Sequence, residues 1–224
     1  MNRESLQGGK MNPNIAGKII ANFKQEYTRP AAEASQRFSE SMMRIIQKLQ
    51  KPGGTVQRFM DDIVQMINRN YRIREVSIGR RSQQDGKYRY VSLYGFRKDA
   101  ELSLRGLVYE EKDFSQEYVG RQISDWTWAF LSEDKPFVAG EETTYNRPIM
   151  LGKGGRTSLE QCLEADYFDT RIIGERNRLI GWIEYSGTTD YLFPDIRTIK
   201  EIELIGGILA FVFENQDQPH RRQI

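Results

Sequence analysis

DTRIIGERNRLIGWIEYSGTTDYLFPDIRTIKEIELIGGILAFVFEN, residues 169–215, is the stretch whose reading decides the fold. Apolar residues on either side of Arg176–Asn177 predict two short strands joined by a tight turn there. The second strand runs through Leu179–Ser186 and is followed by a loop to Phe193–Pro194–Asp195. Ile196, Ile199, Ile202, Ile205, Ile208, Leu209 and Val212 then form one broad apolar stripe, widened by Leu204 and Phe211. A strand through Ile208–Phe213 competes, because β-branched and aromatic residues are dense there. The stripe extends over the whole segment, which favours a long closing helix covered on two sides.

Upstream, the apolar spacing has the period of a helix from Ile15 to Tyr27, again from Phe38 to Leu49, and a third time over Thr55–Arg69. Pro30 and Pro52–Gly53–Gly54 separate them. The period changes to two after Tyr71, with Val76 and Ile78 in one strand and Tyr88–Phe96 in its partner, across a hairpin at Asp85–Gly86. In the partner, Tyr88, Tyr90, Tyr94 and Phe96 alternate with Val91, Leu93 and Gly95, so both faces of the sheet are expected to be covered. Residues 97–114 give no clear period. Tyr118–Glu133 reads as a helix with Ile123, Trp126, Phe130 and Leu131 on one face and Trp128 on the more polar side. KPFVAGEE, from Lys135, reads as a short strand, and Thr157 with Glu160 fits the start of a short helix.

Composition sets the class. The chain has 224 residues, 38% hydrophobic and 29% charged, as an ordinary globular protein does. A net charge of +2 argues against nucleic acid as a partner. No apolar run reaches the roughly 20 residues of a membrane-spanning helix, and the N-terminus lacks the apolar core of a signal peptide. One cysteine, Cys162, excludes an internal disulfide and a thiol-rich metal site, so a cytoplasmic location with no membrane partner is expected.

The order helix, hairpin, variable segment, helix, short strand, loop, two strands and closing helix resembles GAF architecture over residues 55–214, about three quarters of the chain. SDWTWAFLSEDKPFVAGEE and RIIGERNRLIGWIEYSG carry the best local likeness, the second with glycine after an aliphatic residue at Ile180–Gly181. The resemblance implies an α+β fold: a mainly antiparallel sheet with helices on both faces, here preceded by a polar, disordered segment (1–12) and a helical extension (13–54) and followed by a tail (215–224). It also implies a sensory or regulatory module, with a small-molecule ligand, a homodimer through helices, and a signalling partner protein as expectations. Ile19 and Phe23 of the N-terminal helix and Ile205, Gly206, Leu209 and Phe213 of the closing helix are the candidate dimer contacts. Capping of the sheet within one chain is the other reading of the N-terminal helices.

Known chemistries of the family fit these residues poorly. Cys162 is followed by Leu163, and the single histidine, His220, lies in the tail, which disfavours bilin attachment and haem ligation. Ser186–Gly187 stands near the place of the Asn-Lys pair of cyclic-nucleotide-binding members, and Arg197 stands where their Asp is expected after Phe193. A single cysteine cannot support the thiol exchange of the methionine sulfoxide reductase members. The cofactor is therefore unknown.

Candidate ligand contacts remain. LGKGGRTSLEQ, Leu151–Gln161, interleaves glycines with Lys153 and Arg156 ahead of the expected helix start. Backbone N–H groups of Gly154 and Gly155 beside those cations would favour an anion. A loop whose glycines only permit turning is the plainer reading. Trp128 could stack on a ligand or a partner, and Trp182 and Tyr185 point to opposite faces of one strand, so one of them could line a pocket. No catalytic set emerges: no histidine partners a nucleophile, and the adjacent acids Glu110–Glu111 and Glu141–Glu142 point apart. Metal-ligand spacing is absent.

Overall fold

In the computed structural model, which describes residues 13–27, 36–114, 120–134, 142–152 and 155–216, the fold is built outward from a central antiparallel hairpin. Strands β5 (Tyr167–Gly174) and β6 (Arg178–Tyr185) are joined through a tight turn at Glu175–Asn177. Arg176 and Asn177 both have positive φ, 58° and 57°, the twist that a right-handed hairpin requires of its turn. Strand β1 (Val76–Arg81) pairs with β6 and β2 (Tyr88–Tyr94) with β1; β4 (Thr127–Phe130) lies beside β5, and β3 (Arg121–Gln122) forms the far edge. The order is β2-β1-β6-β5-β4-β3, with every neighbouring pair antiparallel.

One face of the sheet is sealed by helices. In α3 (Val56–Tyr71), Phe59, Met60, Ile63, Val64 and Ile67 fall on one side and bury against β1 and β2. Thr55 caps its start by accepting the Arg58 N–H at 3.2 Å. The closing helix α5 (Ile196–Gln216) starts where the Asp195 carboxylate accepts the Thr198 N–H at 2.7 Å, and it buries Ile199, Ile202, Ile205, Leu209 and Phe213 on the sheet. Helix α1 (Pro13–Tyr27) packs on α5 and sends Phe23 edge-on to Phe168 and Phe193, while α2 (Gln36–Gln50) packs on α3.

Several sequence expectations change. Ile123, Trp126 and Phe130 share a helical spacing, but residues 121–130 form the β3–β4 hairpin instead. Thr127–Phe130 is stabilised by pairing to β5, and the Ser124 hydroxyl accepts the N–H groups of Trp126 and Thr127 at the turn. Trp126, expected in the core, is 48% exposed at that turn. Thr157 begins no helix: its N–H and hydroxyl both go to the Gln161 side chain, at 2.6 and 2.9 Å. A bulge opposite Ile78–Gly79 shifts the β2 alternation, so Tyr94 packs with the helices while Tyr88, Tyr90 and Leu93 lie on the other face.

Within residues 97–114, helix α4 (Lys98–Gly106) was not legible. Its first turn holds Asp99 and Glu101, Ala100 and Leu104 bury at a spacing of four, and Arg105 pairs with Glu101 at 2.8 Å. Residues 1–12, the break at Pro30, the KPFVAGEE strand and most of the tail, with His220, lie outside the described residues.

Phe168 is fully buried, stacked on Tyr185 at 5.4 Å across β5–β6 and touched edge-on by Phe23. Phe168→Ala should therefore cost about 3–5 kcal/mol of stability in chemical denaturation, because it empties the junction of the sheet, α1 and α5.

Candidate functional site

The sheet face away from α3 and α5 is divided into a filled half and an open half. Gly79 allows the division, since a Cβ built there would stand 2.2 Å from the Trp182 ring. The indole lies across the bare backbone and gathers Tyr88, Tyr90, Tyr109 and Phe114 at centroid distances of 5.3–6.3 Å. Leu104 of α4 completes this cluster and ties the helix to the sheet.

Beyond it opens a cavity of about 640 Å³, within the range of roughly 300–1,000 Å³ typical of small-molecule sites. Its floor comes from β2 and β6, with Tyr90 and Glu184. α4 supplies Leu102, Ser103 and Leu104 on one side, and residues 143–146 close another. Glu164, Asp166 and Tyr167 complete the wall ahead of β5, and Glu75 and Ser186 stand where β1 begins and β6 ends.

The polar groups of the wall are held in place. The Tyr90 hydroxyl donates to Glu184 Oε2 at 2.9 Å, and burial pushes the Tyr90 phenol well above its ordinary pKa, so it remains a donor. Glu75 accepts the Asn146 amide at 2.8 Å and the Ser186 hydroxyl. Asn146 also donates to the Gly95 carbonyl at 2.7 Å and accepts the Arg97 N–H at 2.7 Å, joining the 143–146 segment to the end of β2. Arg147 grips Glu164 through its backbone N–H and guanidinium, at 2.6–2.8 Å. Asp166 accepts the N–H groups of Ser132 and Leu163 and an ion pair from Arg156 at 3.0 Å; burial raises its pKa, against the pull of Arg156. Among the described residues, no cluster of three or more His, Cys, Asp or Glu is arranged to hold a metal ion.

On the helical side of β6, Tyr185 turns its hydroxyl to Thr170, at 3.3 Å. Thr170 meets Thr127 at 2.9 Å, and Thr127 donates to Glu203 of α5 at 2.7 Å. A chain of buried hydroxyls thus joins a cavity strand to the closing helix.

This arrangement of sheet and helices is similar to that of solved structures. The GAF domain of a phosphoenolpyruvate-protein phosphotransferase from Coxiella burnetii superposes with a TM-score of 0.51 at 12% identity, covering 82% of this chain and 96% of that one. The A. aeolicus nlh2 GAF domain gives 0.50 at 11% identity, covering 80% and 97%. The fold is that of a GAF domain. No protein-family profile and no curated protein matches the sequence.

Within this GAF fold, the residues singled out from sequence do not converge on one place. Lys153 and Gly154 lie outside the described residues, and Gly155 is exposed. Arg156, expected to attract an anion, is turned inward, where Glu133 takes its Nε and Nη2 at 2.9 and 2.7 Å and Asp166 shares the charge. Trp128 is half-buried under the Arg171 guanidinium, 4.0 Å from the ring centroid. Trp182 is on the cavity side but packed in the aromatic cluster; Tyr185 is among the residues that line the cavity, although its ring stacks on Phe168 on the helical side. The candidate dimer contacts Ile19, Phe23, Ile205, Leu209 and Phe213 are buried within the single chain, and Gly206 faces Thr170 of β5. The outward side of α5 carries Leu204 and Phe211 instead, 56% and 69% exposed. Cys162 is buried outside any helix, and burial pushes its thiol pKa far up.

Sequence reasoning missed Tyr90, Glu75, Asn146 and Glu184 as a group. One signal was present: Glu184 is a charge inside an otherwise apolar strand, which implies polar company on that face.

Arg156→Met should lower stability by about 3–5 kcal/mol, since it leaves two carboxylates without their buried partner. Asp166 already has a raised pKa in the fold, so acidification favours the folded form there, and losing Arg156 enlarges that effect. The deficit should therefore shrink on going from neutral pH to about pH 5, as denaturation at the two pH values would read.

Proposed function

We propose that this domain is a sensory or regulatory module that takes up a small molecule in the cavity and reports its presence through α5. The cavity itself carries the reading. It is walled partly by the sheet and partly by α4 and residues 143–146, so a ligand inside would touch both bodies at once. A ligand that favours one arrangement of cover and sheet shifts their equilibrium by its differential affinity. The hydroxyl chain from Tyr185 to Glu203 is the physical connection by which such a shift reaches α5. Binding rather than catalysis goes with the state of Cys162, whose raised pKa suppresses the thiolate a nucleophile needs. A cytoplasmic setting goes with a single cysteine and with the absence, among the described residues, of a helix long and apolar enough to cross a membrane.

Leu204 and Phe211, one helical face of α5, support the accompanying proposal of a homodimer through that helix. Docking of a different signalling protein on the same stripe is the second reading.

Native mass spectrometry of gently purified protein should show a dimer carrying additional small-molecule mass. An empty species would count against the sensor and favour the docking module. Phe211→Glu should convert the dimer to monomer in analytical ultracentrifugation with stability changed by no more than about 0.5 kcal/mol, as expected of an exposed position. A wild-type protein that is monomeric at all concentrations would assign the stripe to another protein.

A further inference from the structure

We infer that a second copy of this chain docks antiparallel on the outer side of α5, with the twofold axis passing beside Gly207; this deepens the dimer reading and rests on it. The outer side of α5 is a single seam. Lys200, Leu204, Gly207, Phe211 and Glu214 recur at steps of four and three, the spacing at which one helix edge meets another helix. Leu204, Gly207 and Phe211 are exposed and Lys200 and Glu214 half-buried. Every other position from 200 to 214, Glu203 and Ile208 apart, is buried within the chain. The β3–β4 turn widens the seam. Ser124 and Thr127 donate to Glu203, next to Leu204, which brings the turn and its exposed Trp126 against α5.

Shape lets two such helices meet, and charge selects their direction. Gly207 leaves a gap between the two large exposed side chains, with nothing within 4 Å of the place its Cβ would take. Leu204 and Phe211 stand about one turn to either side of it. In an antiparallel pair crossing at Gly207, Phe211 of each copy enters the gap of the other and packs on its Leu204. The ends then match. Lys200 and Glu214 are each about 10 Å along the helix from Gly207, in opposite directions, so Lys200 of one copy stands opposite Glu214 of the other, twice. A parallel pair would set Lys200 against Lys200 and Glu214 against Glu214, like charge against like. Glu214 also accepts the Glu175 N–H, and a carboxylate with two oxygens can accept an ammonium as well. The seam is therefore complementary to itself when reversed, which is what a second copy of the same chain supplies.

Thiol cross-linking of the full chain reads the direction. Cys162 is the single cysteine and is buried, so an introduced surface cysteine is the one that reacts. Lys200→Cys and Glu214→Cys, made as separate chains carrying different mass tags and then mixed, should be joined to each other by a short bismaleimide, with little joining of either variant to itself. Charge exchange is the second measurement. Lys200→Glu, which sets like charges together twice, should weaken dimerisation about tenfold in analytical ultracentrifugation, and adding Glu214→Lys to it should restore the wild-type value. Lys200→Cys joined mainly to itself would overturn the antiparallel arrangement and leave the dimer reading standing. So would a wild-type dimer in which neither mixture nor single variant cross-links, or a double exchange that restores nothing. A wild-type chain that is monomeric at all concentrations would overturn this inference and the dimer reading together, and leave the seam to a different protein.

Discussion

Trp182 lies flat on β1 because residue 79 has no side chain, and the other face of the fold is organised around that contact. The indole is too large to be buried by a sheet alone, so it collects the aromatic rings of β2 and of the segment after α4. That cluster fixes Leu104, and with it the position of α4 above the sheet. Once α4 is held at one end, the space beyond the cluster stays open because its walls are carboxylates and tyrosines anchored by their own hydrogen bonds. A wall of leucines there would collapse into the gap; a wall of paired charges resists collapse, since each charge must keep its partners.

The helical face obeys a different constraint. It is mainly apolar, yet it admits Glu203, Thr127, Thr170 and Tyr185 where α5 crosses β4, β5 and β6. A second polar contact, from the Tyr71 hydroxyl to Glu201 at 2.5 Å, ties α3 to the same helix. Apolar packing tolerates sliding of a helix more readily than a buried hydrogen-bond network does, because a displaced donor or acceptor loses its partner without gaining water. These contacts therefore give α5 a defined register on the sheet, and a displaced register would be felt by Tyr185 and its strand.

The strongly periodic parts were legible from sequence. The turn at Arg176–Asn177, the strands on either side of it, α3 and α5 follow from local pattern and appear where that pattern puts them. The β3–β4 hairpin was misread because four residues of β4 carry too little alternation to outweigh a chance helical spacing; pairing with β5 decides their conformation. Helix α4 escaped because only Ala100 and Leu104 bury, too few to make a stripe. The site was less legible than the fold. Its residues come from β1, β2, β6, α4 and two loops, and nothing local in sequence brings Glu75 to Asn146 or Tyr90 to Glu184. The residues named as candidate dimer contacts lie inside the single chain for a simpler reason. An apolar helix that is wide all round does not announce which side the sheet will take, and here the sheet takes Ile205, Leu209 and Phe213 and leaves Leu204 and Phe211 outside.

The same geometry constrains how the two faces of the sheet can be linked. The described residues that line the cavity include none of α5, which packs on the opposite face of the sheet. Side chains alternate across the strands: Glu184 faces the cavity, while Tyr185, which also borders it, turns its ring and hydroxyl to the helical side. A rotation of β6 that moved Glu184 one way would move Tyr185 the other, and Tyr185 is joined through Thr170 and Thr127 to Glu203. The two faces are therefore linked by the pleat: one strand presents its charge to one side and its hydroxyl to the other, and neither can be repositioned alone.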